Sequence, residues 1–343
     1  MDYSNYILGT TKKLLSIDSP SGFTTAVTDY LLEEYKRLGY TPIRTIKGGV
    51  VVDLGGKADD NNGIMLMAHV DTLGAMVHEI KSNGRLKLTP IGGLTPQNIE
   101  TENLRVYTRF SGVYEGTFQL ENAAVHVNDD FDDAKRNFDT MEVVLDEFTD
   151  SKEATQKLGI MAGDIVCFDP RTVVTKNGYI KSRFLDDKLS AGILLGYAKY
   201  LKDENITPSR HIYSNITVYE EVGHGAACNI PDDVCEVLSV DMGCVGDGLS
   251  CTERTVSICA KDSRGPYNYE VTTALIKAAK ENDIAFEVDT YPHYGSDADV
   301  ALTSGHDVKH GLIGAGVYAS HGYERSHIDG MNNTFKLIKA YLA

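Results

Sequence analysis

Ile64-Met65-Leu66-Met67-Ala68-His69-Val70-Asp71 is an unbroken apolar run that ends on a histidine, with an aspartate two residues later. A short apolar run bounded by turn residues predicts a strand buried on both faces. The turn lies just upstream, in the Gly/Asp/Asn-rich stretch 55–63, which separates this run from a second apolar strand at Val50-Val51-Val52-Asp53-Leu54. Before both strands, the chain to about Ser16 reads as a short helix and Thr24 to Leu38 as a longer one. In the longer one, Val27, Tyr30, Leu31, Leu32, Tyr35 and Leu38 recur at helical spacing and Gly39 is the stop signal.

Downstream of Asp71 the texture changes. From about Thr72 to Lys176, short alternating segments such as Arg85–Leu88, Val106–Phe110 and Ile165–Phe168 are broken by glycine, proline and polar turns, with an acidic patch at Asn128–Asp133. After Phe184 helices and strands alternate again. A helix is expected from Lys188 to about Leu201, with strands at Asn215–Tyr219, Val237–Val240 and Thr255–Ala260. A helix at about Asn268–Glu281, a strand around Phe286 and Val288, and a last helix from near Asn333 complete the pattern. Such alternation predicts an α/β/α sandwich around a mainly parallel or mixed sheet. A small β-barrel domain, residues 73–176, is then inserted into a main domain made of 1–72 and 177–343. A length of 343 residues suits two domains.

The bulk numbers narrow the function. A formal charge of -16 argues against nucleic acid, whose phosphates call for clustered Lys and Arg. An acidic chain still suits peptides, whose free amino terminus is cationic. No apolar run reaches the roughly 18–20 residues that span a bilayer, and the N-terminus shows no basic patch followed by an apolar stretch. A cytoplasmic, non-membrane protein is expected. The cysteines Cys167, Cys228, Cys235, Cys244, Cys251 and Cys259 form no C-x-x-C pair and read as reduced thiols.

The chemistry-bearing residues share one setting, at or just past the end of an apolar strand. His69 and Asp71 follow Ile64–Ala68, Asp186 and Asp187 follow Tyr179–Leu185, Glu220 and Glu221 follow Ile216–Tyr219, and Asp241 follows Val237–Val240. Carboxyl ends of strands form the binding crevice of open α/β sheets. Taken singly, His-x-Asp or a pair of acids is a capped turn or a solvated surface. Together, and in this order, they point to metal. Imidazole and carboxylate suit Zn²⁺, with Co²⁺ or Mn²⁺ as alternatives, and two such ions need a bridging group that one carboxylate can supply. One ion is assigned to His69, Asp186 and Asp241, the other to Asp186, Glu221 and His327. Glu220, beside a ligand, is the expected general base. Asp71 is expected to fix the His69 tautomer.

The strings Met67–Asp71, Phe184–Lys188, Glu220–Gly223, Val240-Asp241 and Ser326–Asp329 resemble those of the tetrahedral (TET), glutamyl and deblocking metallo-aminopeptidases. The resemblance covers nearly the whole chain. It implies cytosolic removal of N-terminal residues from peptides by two divalent ions, a PDZ-like barrel in the insertion, and homo-oligomers, often dodecamers. The gap of 117 positions between His69 and Asp186 separates this type from related exopeptidases and deacylases, which place the bridging aspartate sooner. Segment Ser320–His327 holds two histidines. His327 is taken as the ligand because Ile328-Asp329 follows it, and His321 is left to the substrate side. By the same resemblance Arg264, Ser296 and Asp297 lie near the pocket, where Arg264 or Lys261 would pair with an acidic N-terminal side chain. The rival functions are a metallo-carboxypeptidase or amidohydrolase of related fold, a glycosidase, which works with two carboxylates and no metal ligands, and a non-catalytic scaffold.

Overall fold

The protein is described from a computed structural model at residues 2–57, 62–227 and 230–343. Part of the turn at 55–63 and Cys228 lie outside the described residues. The chain divides into two compact units, residues 1–71 with 171–343, and residues 72–170.

The larger unit is a mixed twelve-stranded sheet. Strand Gly63–His69 lies near its centre, buried along its whole length. It runs parallel to Ile212–Thr217 on one side and to Val234–Val240 on the other, and Val234–Val240 runs parallel to Lys309–Tyr318. Val50–Gly55 and Ile43–Arg44 close one edge antiparallel. Beyond Lys309–Tyr318 come Glu324–His327, Tyr179–Ser182 and Val173–Val174, each antiparallel to its neighbour. Val256–Lys261 also pairs with Lys309–Tyr318, and Phe286–Thr290 pairs with Val256–Lys261.

Successive side chains of a strand point to opposite faces, and both faces here are covered. Ile64, Leu66 and Ala68 join a core with Ile7 and Leu14 of helix Ser4–Leu15 and Leu31 of helix Thr25–Arg37. The same core takes in Leu189 and Ile193 of helix Leu185–Asp203, Leu275 of helix Tyr269–Glu281 and Leu337 of helix Ile328–Tyr341. Met65 and Met67 face a second core with Ala298 and Ala301 of the short helix Asp297–Thr303. Burying each large apolar side chain contributes about 1.5–3 kcal/mol, so the continuous apolar run at 64–68 fixes this strand in the middle layer. This is the expected α/β/α sandwich.

The smaller unit is a closed barrel of six strands, in the order Gly74–Ile80, Leu86–Ile91, Met141–Leu145, Val113–Leu120, Asn103–Tyr107 and Ile165–Phe168. Phe118 and Phe168 pack edge to face at its centre. Its end comes earlier than residue 176, because Val173–Val174 belongs to the larger sheet through Tyr179–Ser182.

Several elements differ from expectation. The strand at 106–110 stops at Tyr107, and the one expected at 215–219 spans Ile212–Thr217, with Tyr219 left-handed at φ 73°. The last helix begins at Ile328 rather than near Asn333. Strand Lys309–Tyr318 and its partner Glu324–His327 were not anticipated.

Candidate metal centre

Three adjacent parallel strands end at one place. Gly63–His69 delivers His69 itself, Ile212–Thr217 leads to Glu220 and Glu221, and Val234–Val240 leads to Asp241. The fourth parallel strand, Lys309–Tyr318, leads to His321. Asp186 and Asp187 reach the same place from the start of helix Leu185–Asp203, where both keep non-helical backbone angles and the peptide between them is cis. Phe184, Tyr219, Ala319 and His321 all have positive φ, at 68°, 73°, 58° and 62°. Side chains other than glycine seldom adopt that region, and such residues collect at functional sites.

His69 is buried, and its Nε2 lies 3.1 Å from Asp186 Oδ1, 3.6 Å from Glu220 Oε2 and 4.0 Å from Asp241 Oδ2. On its other side Nδ1 lies 3.0 Å from the Asp71 backbone oxygen and 3.6 Å from that residue's carboxylate. The backbone carbonyl of Asp71, not its side chain, makes the close contact with the imidazole. With Nδ1–H donating to it, Nε2 is left for the acids: protonated it donates to Asp186, and deprotonated it offers a lone pair to a cation. The Asp71 carboxylate is engaged elsewhere, accepting the Ser21 hydroxyl at 2.5 Å and the Glu220 backbone N–H at 3.1 Å.

Asp186 stands between two imidazoles. Its Oδ1 faces His69, and its Oδ2 lies 3.4 Å from His321 Nε2, which is itself 3.6 Å from Glu221 Oε2. The histidine brought to the acids is therefore His321. His327 is turned away: its Nε2 lies 2.8 Å from the Asn177 carbonyl, its Nδ1 accepts the Asp329 N–H at 2.9 Å, and its ring packs edge-on against Tyr179. With both nitrogens held by backbone, His327 caps the last helix and cannot reach the centre. This corrects its assignment as a ligand.

Donor atoms of His69, Asp186 and Glu221 all lie within 4.8 Å of one another, as do those of His69, Asp187 and Asp241. The electrostatics fit a cation. Burial, then the charge of Asp186, pushes Asp241 up to about 7. Burial and neighbouring carboxylates push Glu221 and Asp187 well above their ordinary range. Glu220 is raised mainly by burial, with His69 opposing and the carboxylates of Asp241, Asp297 and Glu221 adding. Asp186 is the exception. Burial works to raise it, but hydrogen bonds from His321 and His69 hold it low. So many acids in one buried spot repel one another, and a divalent ion relieves that. The donor set, imidazole nitrogen with carboxylate oxygen, is the one Zn²⁺ and its first-row neighbours take.

A cavity of about 260 Å³ opens onto the cluster, lined by Asp186, Glu220, Glu221, Asp241 and His321 and, farther along, by Arg264, His293 and Asp299. Arg264 is exposed at its wall, beside Gly295. Ser296 also lines the cavity but caps helix Asp297–Thr303 in a reciprocal pair with Asp299. Asp297 points elsewhere, accepting the Thr217 hydroxyl at 2.5 Å and the Ala226 N–H at 2.7 Å. It braces the loop after Glu221 rather than meeting a substrate. Glu324 and Ser21 had no marker in the sequence. His321 did have one, since it follows the end of a parallel strand, but that strand had first to be recognised.

The family model of M42 glutamyl aminopeptidase matches residues 48–337. The candidate aminopeptidase YhfE of Bacillus subtilis (strain 168) is 44% identical over 331 residues, 96% of this chain and 95% of that protein. The lysyl aminopeptidase of Pyrococcus furiosus is 24% identical over 307 residues, 86% of this chain and 84% of its own length. Among solved structures, the Pyrococcus horikoshii TET1 peptidase, which can assemble into a tetrahedron or a large octahedral shell, superposes with a TM-score of 0.84 at 20% identity. That match covers 98% of this chain and 99% of the other. The likeness of that structure shows the fold, and the family match over most of the sequence carries the activity. The chain belongs to the M42 glutamyl aminopeptidase family and is a metal-dependent aminopeptidase, a hydrolase that removes N-terminal residues from peptides.

Proposed function

We propose that His69, Asp186, Glu221, Asp241 and His321 hold two divalent ions, zinc or else cobalt or manganese, with Asp186 shared between them. The observation that carries this reading is the position of Asp186, one carboxylate oxygen toward each imidazole. Ions so held would supply Lewis acidity and bring the pKa of water toward neutrality. Glu220 takes the proton of the attacking water on its carboxylate and passes it to the leaving amine. Asp71 supports Glu220 by accepting its backbone N–H, while Ser21 holds the Asp71 carboxylate.

The acidic wall of the cavity suits the cationic amino group of a peptide. Arg264 makes no ion pair among the described residues and stands at the cavity wall, where it favours an acidic first side chain. Family membership weighs against the carboxypeptidase, amidohydrolase and glycosidase readings. We also infer a cytoplasmic setting, supported by the unbridged thiols of Cys235, Cys244, Cys251 and Cys259. No described helix is long and apolar enough to cross a membrane.

Replacing Glu220 by Gln tests the base assignment. Turnover of aminoacyl anilides should fall by about 10²–10⁴-fold, with the metal content by elemental analysis unchanged. Near-normal turnover would remove Glu220 from the role.

A further inference from the structure

Glu324 is 2% exposed and lies outside the set of proposed metal ligands. It forms no ion pair with Lys or Arg among the described residues. Burying a carboxylate without a cation is costly, so its contacts must repay that cost. Its two oxygens divide between two backbone donors. Oε2 accepts the N–H of Asp186 at 3.1 Å, and Oε1 accepts the N–H of His321 at 3.0 Å. The two donors lie in separate stretches of chain. Asp186 follows the left-handed Phe184, while His321 lies in the loop between Tyr318 and Arg325, which pair as adjacent antiparallel strands. Glu324 also stands opposite Ser182 in the register of its strand with Tyr179–Ser182. One side chain thus ties the backbone of the central carboxylate to the backbone of the second imidazole.

We propose that Glu324 is a positioning residue for the metal centre, setting the spacing of Asp186 and His321. This rests on the two-ion reading above. The geometry makes the role selective for a carboxylate. Two N–H donors face it, and a Gln at 324 offers one acceptor and one NH₂, so one of the two contacts becomes donor against donor. Groups that orient metal ligands typically matter by about 10–100-fold in metal affinity.

The test is a Zn²⁺ or Co²⁺ titration of the chelator-treated full chain, wild type against Glu324→Gln, with the thermal midpoint of both proteins followed with and without the ion. The variant should bind the ion about 10–100-fold more weakly. The metal-free midpoint has no diagnostic sign, because the variant loses one buried backbone contact together with one buried acid, but the rise on adding metal should shrink. Should Glu324→Gln fail to fold, Glu324→Asp, which keeps the charge but is one methylene too short to span both donors, should show the same weakened binding. Wild-type affinity in either folded variant overturns the proposal, as does an undiminished rise, the mark of a purely structural side chain. If the wild type itself takes up no ion, the two-ion reading falls and this inference falls with it.

Discussion

His321 and His327 are six residues apart and do different work. His321 faces two carboxylates, whereas His327 spends both ring nitrogens on backbone. His321→Ala should therefore lose metal, detected by elemental analysis, and lower turnover by about 10²-fold or more, the scale of removing an electrostatic stabiliser. His327→Ala should keep its metal and lose about 1 kcal/mol of stability, the usual cost of a helix cap, seen as a lower thermal midpoint. The reverse pattern would restore His327 as a ligand. His69, Asp186, Glu220, Glu221 and Asp241 could be picked out in the sequence because each stands next to an apolar run, where an unpaired charge has no ordinary reason to be. His321 stands in a polar segment after glycines, and Glu324 is an acid among polar residues. Neither shows its burial until the chain is folded.

Among the elements, Lys309–Tyr318 shows most clearly what hides a strand. Gly311, Gly314 and Gly316 interrupt it, and glycine weakens the periodic signal by which strands are read. The glycines are required by close approach. A Cβ at Gly314 would lie 1.4 Å from the Asp241 carbonyl oxygen, and one at Gly316 would lie 2.1 Å from that of Thr252. Gly314 thus lets this strand pass tightly against the segment that presents Asp241. The buried strand Gly63–His69 was legible for the opposite reason, since nothing in it but apolar side chains needs to fit. The last helix begins early because His327 caps it through its ring nitrogen, a role more often filled by Ser, Thr, Asp or Asn. Glu220 and Glu221 form a short 3₁₀ turn directly after Tyr219, so both leave the strand end within one turn.

At the scale of the molecule, the change of texture near residue 72 marked the insertion, because alternating short strands and turn residues differ from the long apolar and helical patterns around them. The far boundary was less legible, since a two-residue strand at Val173–Val174 carries almost no pattern. On the smaller unit Phe110, Val127 and Phe148 are exposed and available for burial against a neighbouring copy. We infer from this, and from the shells formed by the Pyrococcus horikoshii relative, that this chain assembles with copies of itself. Light scattering should return a multiple of the chain mass, and a monomer at micromolar concentration would overturn the inference. The buried cluster is proposed to hold two divalent ions that the aminopeptidase activity requires. The most direct test is elemental analysis of chelated and Zn²⁺- or Co²⁺-restored protein alongside turnover of aminoacyl anilides. Two ions per chain should return together with activity, and full turnover in metal-free protein, or restoration of activity with a single ion bound, would contradict the claim.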